Sequence, residues 1–176
     1  MTERIEMMFS EEEVTSRIKE LGAEISKDLN GEPVKVVCLL KGASFFACEL
    51  AKRLEGPVYM DFMYVSSYGD GTKSSGNVKI TKDLEYSVEG DNILIAEDII
   101  DSGNTLHYIS NEFKKRGAKS VRICTLLSKP SRREVDVPVD YIGYVIPDEF
   151  VVGYGLDYAQ RYRNLPYIGV MHFDED

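Results

Sequence analysis

The side chains best suited to chemistry follow an apolar run at residues 93–96. Glu97 and Asp98 stand side by side at the end of this run, and Asp101 follows them closely. An apolar run of this kind is typical of a strand buried on both faces, as in a parallel sheet. Because open α/β sheets bind ligands beyond the carboxyl ends of their strands, we expect the three carboxylates to lie at a ligand site.

A loop of small polar residues comes directly after these carboxylates. It consists of Ser102, Gly103, Asn104 and Thr105. Such a loop offers consecutive backbone N–H groups and two hydroxyls, and its glycine permits positive φ or the close approach of a ligand. From Leu106 onward apolar residues recur at helical spacing, so the loop leads into a helix whose N-terminus favours a phosphate. The carboxylates can accept hydrogen bonds from a ribose or help hold Mg²⁺, so the whole stretch indicates an enzyme site for a sugar phosphate.

The stretch resembles the phosphoribosyl-pyrophosphate signature of the type I phosphoribosyltransferases, and later motifs narrow the resemblance to the 6-oxopurine branch, the hypoxanthine-guanine phosphoribosyltransferases. The resemblance extends from about Lys41 to Val170, and Ser102 keeps the hydroxyl where many members carry Thr. It implies purine salvage by Mg²⁺-dependent transfer of 5-phosphoribose from phosphoribosyl pyrophosphate to hypoxanthine or guanine. It also implies that Asp101 is the catalytic base that accepts the N7 proton of the purine.

The resemblance assigns ligand-binding roles at several strand ends. The residues assigned to phosphoribosyl pyrophosphate or pyrophosphate are Lys41, Gly42, Glu97, Asp98, Ser102, Gly103, Asn104, Thr105 and Arg163. Those assigned to Mg²⁺ are Glu97, Asp98 and Asp157. In the resembling family the peptide bond before Lys41 is cis and its backbone helps bind pyrophosphate. Without the resemblance, Lys41 could be an ordinary loop lysine.

A purine pocket is predicted around Lys129, which ends another apolar run. Its ammonium could donate to a carbonyl oxygen at purine C6, whereas a 6-amino group would face it with a second donor. On residues alone this segment could equally be a solvated basic turn; the resemblance places Lys129 at O6. It also implies that Phe150 stacks on the base, that Val151 lines the pocket and that Asp157 lies near the base. We interpret Tyr154, Tyr158 and Tyr162 as core residues.

Residues 66–77 are rich in glycine and small polar residues, which favours a long, mobile loop. Ser67 and Tyr68 resemble the pair that closes over the reacting centre in the family. The segment 69–76 has no large apolar residue, so we expect it to act as a lid that excludes water from an activated ribose.

Alternating helix and strand patterns predict the elements that position these residues. Ser10 and Glu13 form a capping box for a first amphipathic helix, and a second helix carries Phe46, Leu50 and Leu54 on one face. Strands are expected at 34–40, 58–65, 78–84, 93–96, 121–127, 141–146, 151–152 and 167–171. The pattern indicates an α/β fold: a mostly parallel twisted sheet flanked by helices, with a small hood over the strand ends and the mobile loop. We expect one domain over residues 1–176.

Composition narrows the partners and the compartment. A net charge of −9 and a pI near 4.8 argue against broad binding to nucleic acid or anionic membranes. All three cysteines (Cys38, Cys48 and Cys124) have apolar neighbours, which indicates buried thiols of a reducing compartment. We find no signal-peptide pattern and no apolar run long enough to span a bilayer, so we expect a cytoplasmic protein that acts on small molecules as a homodimer or homotetramer.

Three alternatives remain open. A phosphoribosyltransferase-fold regulator that binds RNA would keep the signature but should show a basic face, and the low pI argues against it. A phospho-acceptor receiver domain also places acids at strand ends, but it needs no phosphate loop. A transferase specific for xanthine or orotate is the nearer alternative, because the sequence does not rank hypoxanthine, guanine and xanthine.

Overall fold

The structure is a computed structural model that describes residues 1–68 and 77–175, without the side chains of Ser67, Tyr68 and Asn77. The segment 69–76, which the sequence analysis interprets as a lid, lies outside the described residues. Its role therefore stays a prediction.

The described residues form two sheets and three α-helices. The strands are β1 (Thr2–Phe9), β2 (Val34–Leu40), β3 (Val58–Tyr68), β4 (Asn77–Lys82), β5 (Asn92–Ile100), β6 (Ser120–Ser128), β7 (Tyr141–Val145), β8 (Val151–Val152) and β9 (Ile168–Asp174). The helices are α1 (Glu11–Leu29), α2 (Ser44–Ala51) and α3 (Asn104–Lys115), with a short 3-10 helix at Pro130–Arg132. The central sheet has the order β4-β3-β2-β5-β6-β7, and only the β3–β4 pair within it is antiparallel.

Helix α1 begins and ends where its sequence predicts. The Ser10 side chain accepts a hydrogen bond from the backbone N–H of Glu13 at 3.1 Å, as expected for the capping box. Asn30 ends the helix in the left-handed conformation, with φ of 49°. Its apolar stripe is buried, and consists of Val14, Ile18, Leu21, Ile25 and Leu29.

The core has two layers, one on each face of the central sheet. Successive residues of β5 alternate between them, because side chains along a strand point to opposite faces. Leu94 and Ala96 pack with α1 and α2, where Phe46 is fully buried. Ile93 and Ile95 pack with α3. The central strand is therefore buried on both faces, as its uninterrupted apolar run predicts.

A smaller antiparallel sheet, with the order β1-β9-β8, forms a second unit beside the central sheet. The sequence pattern predicts β8 and most of β9 but not β1. Strand β1 pairs with β9 at the opposite end of the chain, with Thr2 opposite Asp174 and Met7 opposite Gly169. No local pattern marks a strand whose partner is this distant in sequence, so its prediction depends on knowing the fold.

Two local expectations were wrong. The predicted loop at 66–77 is too long at both ends, because residues 66–68 belong to β3 and Asn77 belongs to β4. Cys48 is exposed, whereas Cys38 and Cys124 are buried; burial raises the pKa of the Cys38 thiol to about 12. Among the described residues, no helix combines the length and the apolar character that a membrane crossing requires.

Candidate active site

The three carboxylates of the signature lie at the carboxyl end of β5. The strand extends to Ile100, so Glu97 and Asp98 belong to it and Asp101 follows its last residue. Here β5 pairs with β6, with Glu97 opposite Thr125. A cavity of about 230 Å³ opens at this point. Its walls are Glu97, Ile99, Ile100, Asp101, Ser102, Gly103, Thr105 and Leu106.

The phosphate loop is a tight turn into α3. Gly103 precedes the helix with φ of 86°, a conformation that glycine adopts without strain. The backbone N–H of Asn104 donates to Ser102 Oγ at 3.2 Å, which folds the loop over the helix N-terminus. Asn104 and Thr105 therefore form the first helical turn, where backbone N–H groups favour an anion.

The adjacent carboxylates Glu97 and Asp98 have raised pKa values. Burial and the neighbouring negative charge of Asp98 raise the pKa of Glu97 well above its ordinary value. Burial also raises the pKa of Asp98, although the charge of Arg163 opposes this shift. Two backbone hydrogen bonds stabilise the ionised carboxylates. The Asp98 N–H donates to the Glu97 carboxylate at 3.0 Å, and the Ile99 N–H donates to the Asp98 carboxylate at 2.7 Å. A bound cation would stabilise both ionised forms.

Asp101 has a buried oxygen, Oδ1, that lacks a hydrogen-bond partner within the described residues. Its backbone is anchored independently, because the carbonyl oxygen accepts a hydrogen bond from Arg133 Nε at 3.0 Å. An unpartnered buried oxygen in a native structure calls for an explanation, and a ligand proton would satisfy it.

Close backbone packing surrounds Gly42. The preceding Leu40–Lys41 peptide bond is cis, as the family resemblance implies. A Cβ atom at Gly42 would collide with the Asp98 carboxylate, and one at Gly155 would collide with the Gly42 carbonyl oxygen. Glycine at both positions therefore lets the two segments and the acid pair meet.

Arg163 lies beside this glycine pair, where it donates to the Gly155 carbonyl oxygen at 2.7 Å. It also contacts Asp157, with 3.3 Å between its terminal nitrogen and the carboxylate. The second Asp157 oxygen accepts a hydrogen bond from the backbone N–H of Gln160 at 2.9 Å. The structure thus brings together Gly42, Asp98, Asp157 and Arg163, while the Lys41 side chain is exposed.

The predicted Mg²⁺ ligands do not form a single cage. Within the described ranges, no three His, Cys, Asp or Glu residues group closely enough to hold a metal. Mg²⁺ is usually bound by only one or two carboxylates, with substrate phosphates and water completing its octahedron. The half-buried pair Glu97 and Asp98, with raised pKa values, fits an ion that arrives with a phosphorylated substrate.

Lys129 lies at the end of β6, directly beside the end of β5. Its backbone N–H donates to the Ile100 carbonyl oxygen at 3.0 Å. The side chain is almost fully buried, and its ammonium lies 3.6 Å from the Asp148 carboxylate. Arg132 contacts the second oxygen of Asp148 at 3.5 Å. Lys129 is therefore a buried donor at the sheet end, where the sequence on its own allows a solvated turn.

Three aromatic rings meet at Phe150, two residues after Asp148. Phe150 is 48% exposed and makes edge contacts with Tyr158 and Phe173, with ring centroids 5.8 and 6.4 Å apart. The adjacent Val151 is buried. The interpretation of the tyrosines as core residues was wrong for two of them. Tyr158 is half-buried in this aromatic group, and Tyr162 is half-buried with its hydroxyl donating to Glu3.

Sequence reasoning missed residues that hold the site from outside the signature. Arg133 contacts the Asp101 carbonyl oxygen, and Asp148 contacts the Lys129 ammonium; neither residue has a role predicted from the sequence. Phe173 joins the aromatic group from β9. A basic turn next to Lys129 and an acid before Phe150 were the available signals. The backbones of Ser67 and Tyr68 pair with β4, and their side chains lie outside the description.

A larger cavity, of about 730 Å³, lies at the opposite edge of the sheet, beside the amino ends of β2 and β5. Its charged side chains already pair with each other: Lys35 with Asp91 and Lys119 with Glu32, each at 3.0 Å. Ligands of open α/β sheets bind at carboxyl ends of strands, so the smaller cavity beside Asp101 is the candidate active site.

The chain is similar in sequence and in structure to known phosphoribosyltransferases. Residues 6–159 match the phosphoribosyl transferase domain family. The chain is 56% identical over 165 residues to the bifunctional protein TilS/HprT of Listeria monocytogenes serotype 4b; this covers 94% of the chain but 26% of the relative, so the chain spans about a quarter of its length. It is 55% identical to the hypoxanthine-guanine phosphoribosyltransferase of Bacillus subtilis, over 94% of the chain and 92% of the relative. A crystal structure of a hypoxanthine phosphoribosyltransferase from Staphylococcus aureus has a TM-score of 0.92 and 48% identity, and covers 95% of this chain and 91% of that one.

Proposed function

Because the chain belongs to the phosphoribosyl transferase domain family, we propose that it catalyses purine salvage: transfer of 5-phosphoribose from phosphoribosyl pyrophosphate to hypoxanthine or guanine. The products are the purine nucleotide and pyrophosphate. The main support for the proposal is the buried Oδ1 of Asp101, which accepts no hydrogen bond from the described residues. It lies beside a cavity lined by the phosphate loop.

In this reaction Asp101 accepts the N7 proton of the purine as N9 bonds to C1 of the ribose. The bond from C1 to pyrophosphate breaks, and positive charge develops on the ribose. Asp101 matches this role because its carboxylate has an open acceptor position while its backbone is fixed by Arg133. A positioned base of this kind accelerates a reaction by about 10²–10⁴.

The phosphate loop and the glycine pair bind the two ends of phosphoribosyl pyrophosphate. Ser102, Gly103 and the first turn of α3 offer backbone N–H groups for the 5-phosphate. Arg163, near Asp98 and Gly42, stabilises the leaving pyrophosphate by its fixed positive charge. For this it exchanges its contact with Asp157 for the substrate anion.

We propose Mg²⁺ as the cofactor, held by Glu97 and Asp98 together with substrate oxygens, with Asp157 near a second ion. When bound, Mg²⁺ neutralises negative charge on the pyrophosphate group. The raised pKa values of the acid pair support this assignment, because a bound cation would stabilise the two neighbouring carboxylates when both are ionised.

Lys129 selects 6-oxopurines by donating to O6, and Phe150 stacks on the base beside Val151. The buried position of Lys129 supports this role, because a buried donor facing an amino group would stay unsatisfied. The Asp148 carboxylate, 3.6 Å away, contacts the ammonium and holds it close to the pocket.

We also propose one domain, a homo-oligomeric state and a cytoplasmic location. Both core layers pack on one sheet, which supports the single domain. Large side chains such as Phe45, Tyr59 and Tyr86 are at least 45% exposed, which supports a homodimer or homotetramer. The cysteines are free thiols, as in a reducing compartment. Light scattering after gel filtration measures the oligomeric state.

A turnover assay tests the proposed function. The chain is given phosphoribosyl pyrophosphate and Mg²⁺ with hypoxanthine, guanine, xanthine or adenine in turn, and nucleotide and pyrophosphate are measured together. We expect equimolar nucleotide and pyrophosphate with hypoxanthine or guanine. Turnover with xanthine alone would favour the xanthine-specific alternative, and no turnover with any base would refute the proposal.

A further inference from the structure

The segment Arg133 to Val135 docks onto the phosphate loop from outside the cavity. Arg133 Nε donates to the Asp101 carbonyl oxygen at 3.0 Å, and its terminal nitrogen donates to Ser128 Oγ at 3.1 Å. The backbone N–H groups of Glu134 and Val135 both donate to the Ser102 carbonyl oxygen, at 2.9 and 3.1 Å. Two successive carbonyl groups of the loop are thus held by one segment.

These contacts fix the direction of the loop's N–H groups. In a trans peptide the C=O and N–H bonds point in opposite directions, and the cis bond of the described chain is elsewhere, at Leu40–Lys41. Because the Asp101 carbonyl points to Arg133, the Ser102 N–H points away from it. The Ser102 carbonyl likewise directs the Gly103 N–H away from the segment. Neither N–H has an acceptor within the described residues.

The free N–H groups point toward the cavity. Ser102 and Gly103 line it, whereas Arg133 to Val135 do not. On the other side of the loop, a Cβ atom added at Gly103 would lie 3.0 Å from the Val135 carbonyl oxygen and 3.1 Å from Arg133 Cδ. The loop therefore packs tightly against the segment that orients it.

We propose that Arg133 is a positioning residue for phosphoribosyl pyrophosphate: it does not touch the substrate, but it holds the Asp101 and Ser102 peptides so that their N–H partners face the 5-phosphate. The inference rests on the proposed function of the same cavity. Arg133 also donates to Ser128 at the end of β6, so the phosphate loop is anchored to the central sheet.

Arg133→Gln removes the charged donor and keeps a polar side chain. Arg133→Lys keeps the charge but reaches only one of the two partners. Arg17→Gln is the matched control, because Arg17 is also half-buried and donates to two backbone carbonyls, those of Gly143 and Ile142, at 2.9 and 2.8 Å. Both glutamine variants lose similar packing, but only one contacts the phosphate loop.

Two measurements on the purified full chain decide the proposal. In steady-state kinetics, we expect Arg133→Gln to raise the KM for phosphoribosyl pyrophosphate by roughly 10- to 100-fold, as for a lost charge-assisted hydrogen bond, with Arg133→Lys in between. The KM for hypoxanthine should stay within about twofold in all variants. Arg17→Gln should lower the thermal midpoint without changing either KM.

The second measurement does not depend on turnover. Inorganic phosphate is titrated into ¹⁵N-labelled protein while the amide signals of Ser102 and Gly103 are followed. They should shift in the wild type and in Arg17→Gln, and not in Arg133→Gln. Equal shifts in Arg133→Gln and the wild type, or an unchanged KM for phosphoribosyl pyrophosphate, would overturn the inference. If the wild type had no turnover but its amide signals shifted, and those of Arg133→Gln did not, the proposed function would be refuted and the role of Arg133 would stand.

Discussion

Replacing Asp101 with Asn separates base catalysis from substrate binding, because the two side chains have nearly the same shape. Oδ1 of Asp101 is buried without a partner in the described part of the chain. Its backbone carbonyl is held by Arg133 at 3.0 Å, a contact that the substitution leaves unchanged. Asp101→Asn should therefore remove a proton acceptor and leave the phosphate loop in place.

The expected loss follows from the chemistry of the removed group. A general base contributes about 10²–10⁴ to the rate, which equals about 2.7–5.4 kcal/mol at 1.36 kcal/mol for each factor of ten. An amide that turns its NH₂ group toward the purine N7–H would add an unsatisfied donor, at about 1–3 kcal/mol. We therefore expect kcat to fall by at least about 10² while phosphoribosyl pyrophosphate binds within about threefold of the wild-type affinity.

The assay combines initial rates of nucleotide formation with calorimetric titration of phosphoribosyl pyrophosphate in the presence of Mg²⁺. Asp136→Asn is the matched control: it makes the same charge change at an exposed residue outside the cavity lining. It should retain wild-type turnover. If Asp101→Asn turned over at the wild-type rate, Asp101 would not be the base; if it lost substrate binding in proportion, its role would be in binding.

Three further outcomes are expected. Adenine should be turned over about 5- to 150-fold less efficiently than hypoxanthine, because its 6-amino group leaves one donor of the buried Lys129 ammonium unsatisfied, at about 1–3 kcal/mol. Equal kcat/KM values for the two bases would contradict this. The pKa of Glu97 is raised in the folded chain, so the folded state binds its proton more tightly than the unfolded state does. The free energy of unfolding therefore falls as the pH rises above 4.5, the ordinary pKa of a glutamate. Glu97→Gln should thus raise the thermal midpoint at pH 8 by roughly 2–4 °C for each kcal/mol recovered, with little change near pH 4.5, while turnover falls. Chelation of Mg²⁺ should abolish turnover and excess Mg²⁺ should restore it; full activity in chelator would contradict the cofactor assignment.

The parts of the fold with local signals could be predicted from sequence. The buried strand β5 carries an uninterrupted apolar run, and α1 has its capping box at Ser10, so neither required knowledge of distant residues. Strand β1 had no such signal, since its pairing depends on β9 at the other end of the chain. Helical spacing from Leu106 predicts α3 but not its first residue, because the turn at Ser102 and Gly103 that precedes Asn104 is a matter of backbone geometry.

The candidate site divides in the same way. The carboxylates and the phosphate loop are contiguous in sequence, so their meeting at one cavity was predictable. Arg133 and Asp148 act through contacts with Asp101 and Lys129, and such contacts depend on how two loops pack together. Phe173 joins the aromatic group only because β9 runs beside β8. Residues that support a site from other segments are visible only in the folded chain.

A competition experiment tests the central claim most directly. Wild-type protein is mixed with Mg²⁺, limiting phosphoribosyl pyrophosphate and equal concentrations of hypoxanthine and adenine, and both nucleotides are quantified by mass spectrometry. Transfer to a 6-oxopurine read by buried Lys129 predicts that the hypoxanthine nucleotide dominates by at least about fivefold, and that Lys129→Met reduces this ratio. Equal amounts of both nucleotides in the wild type, or an undiminished ratio in Lys129→Met, would contradict it.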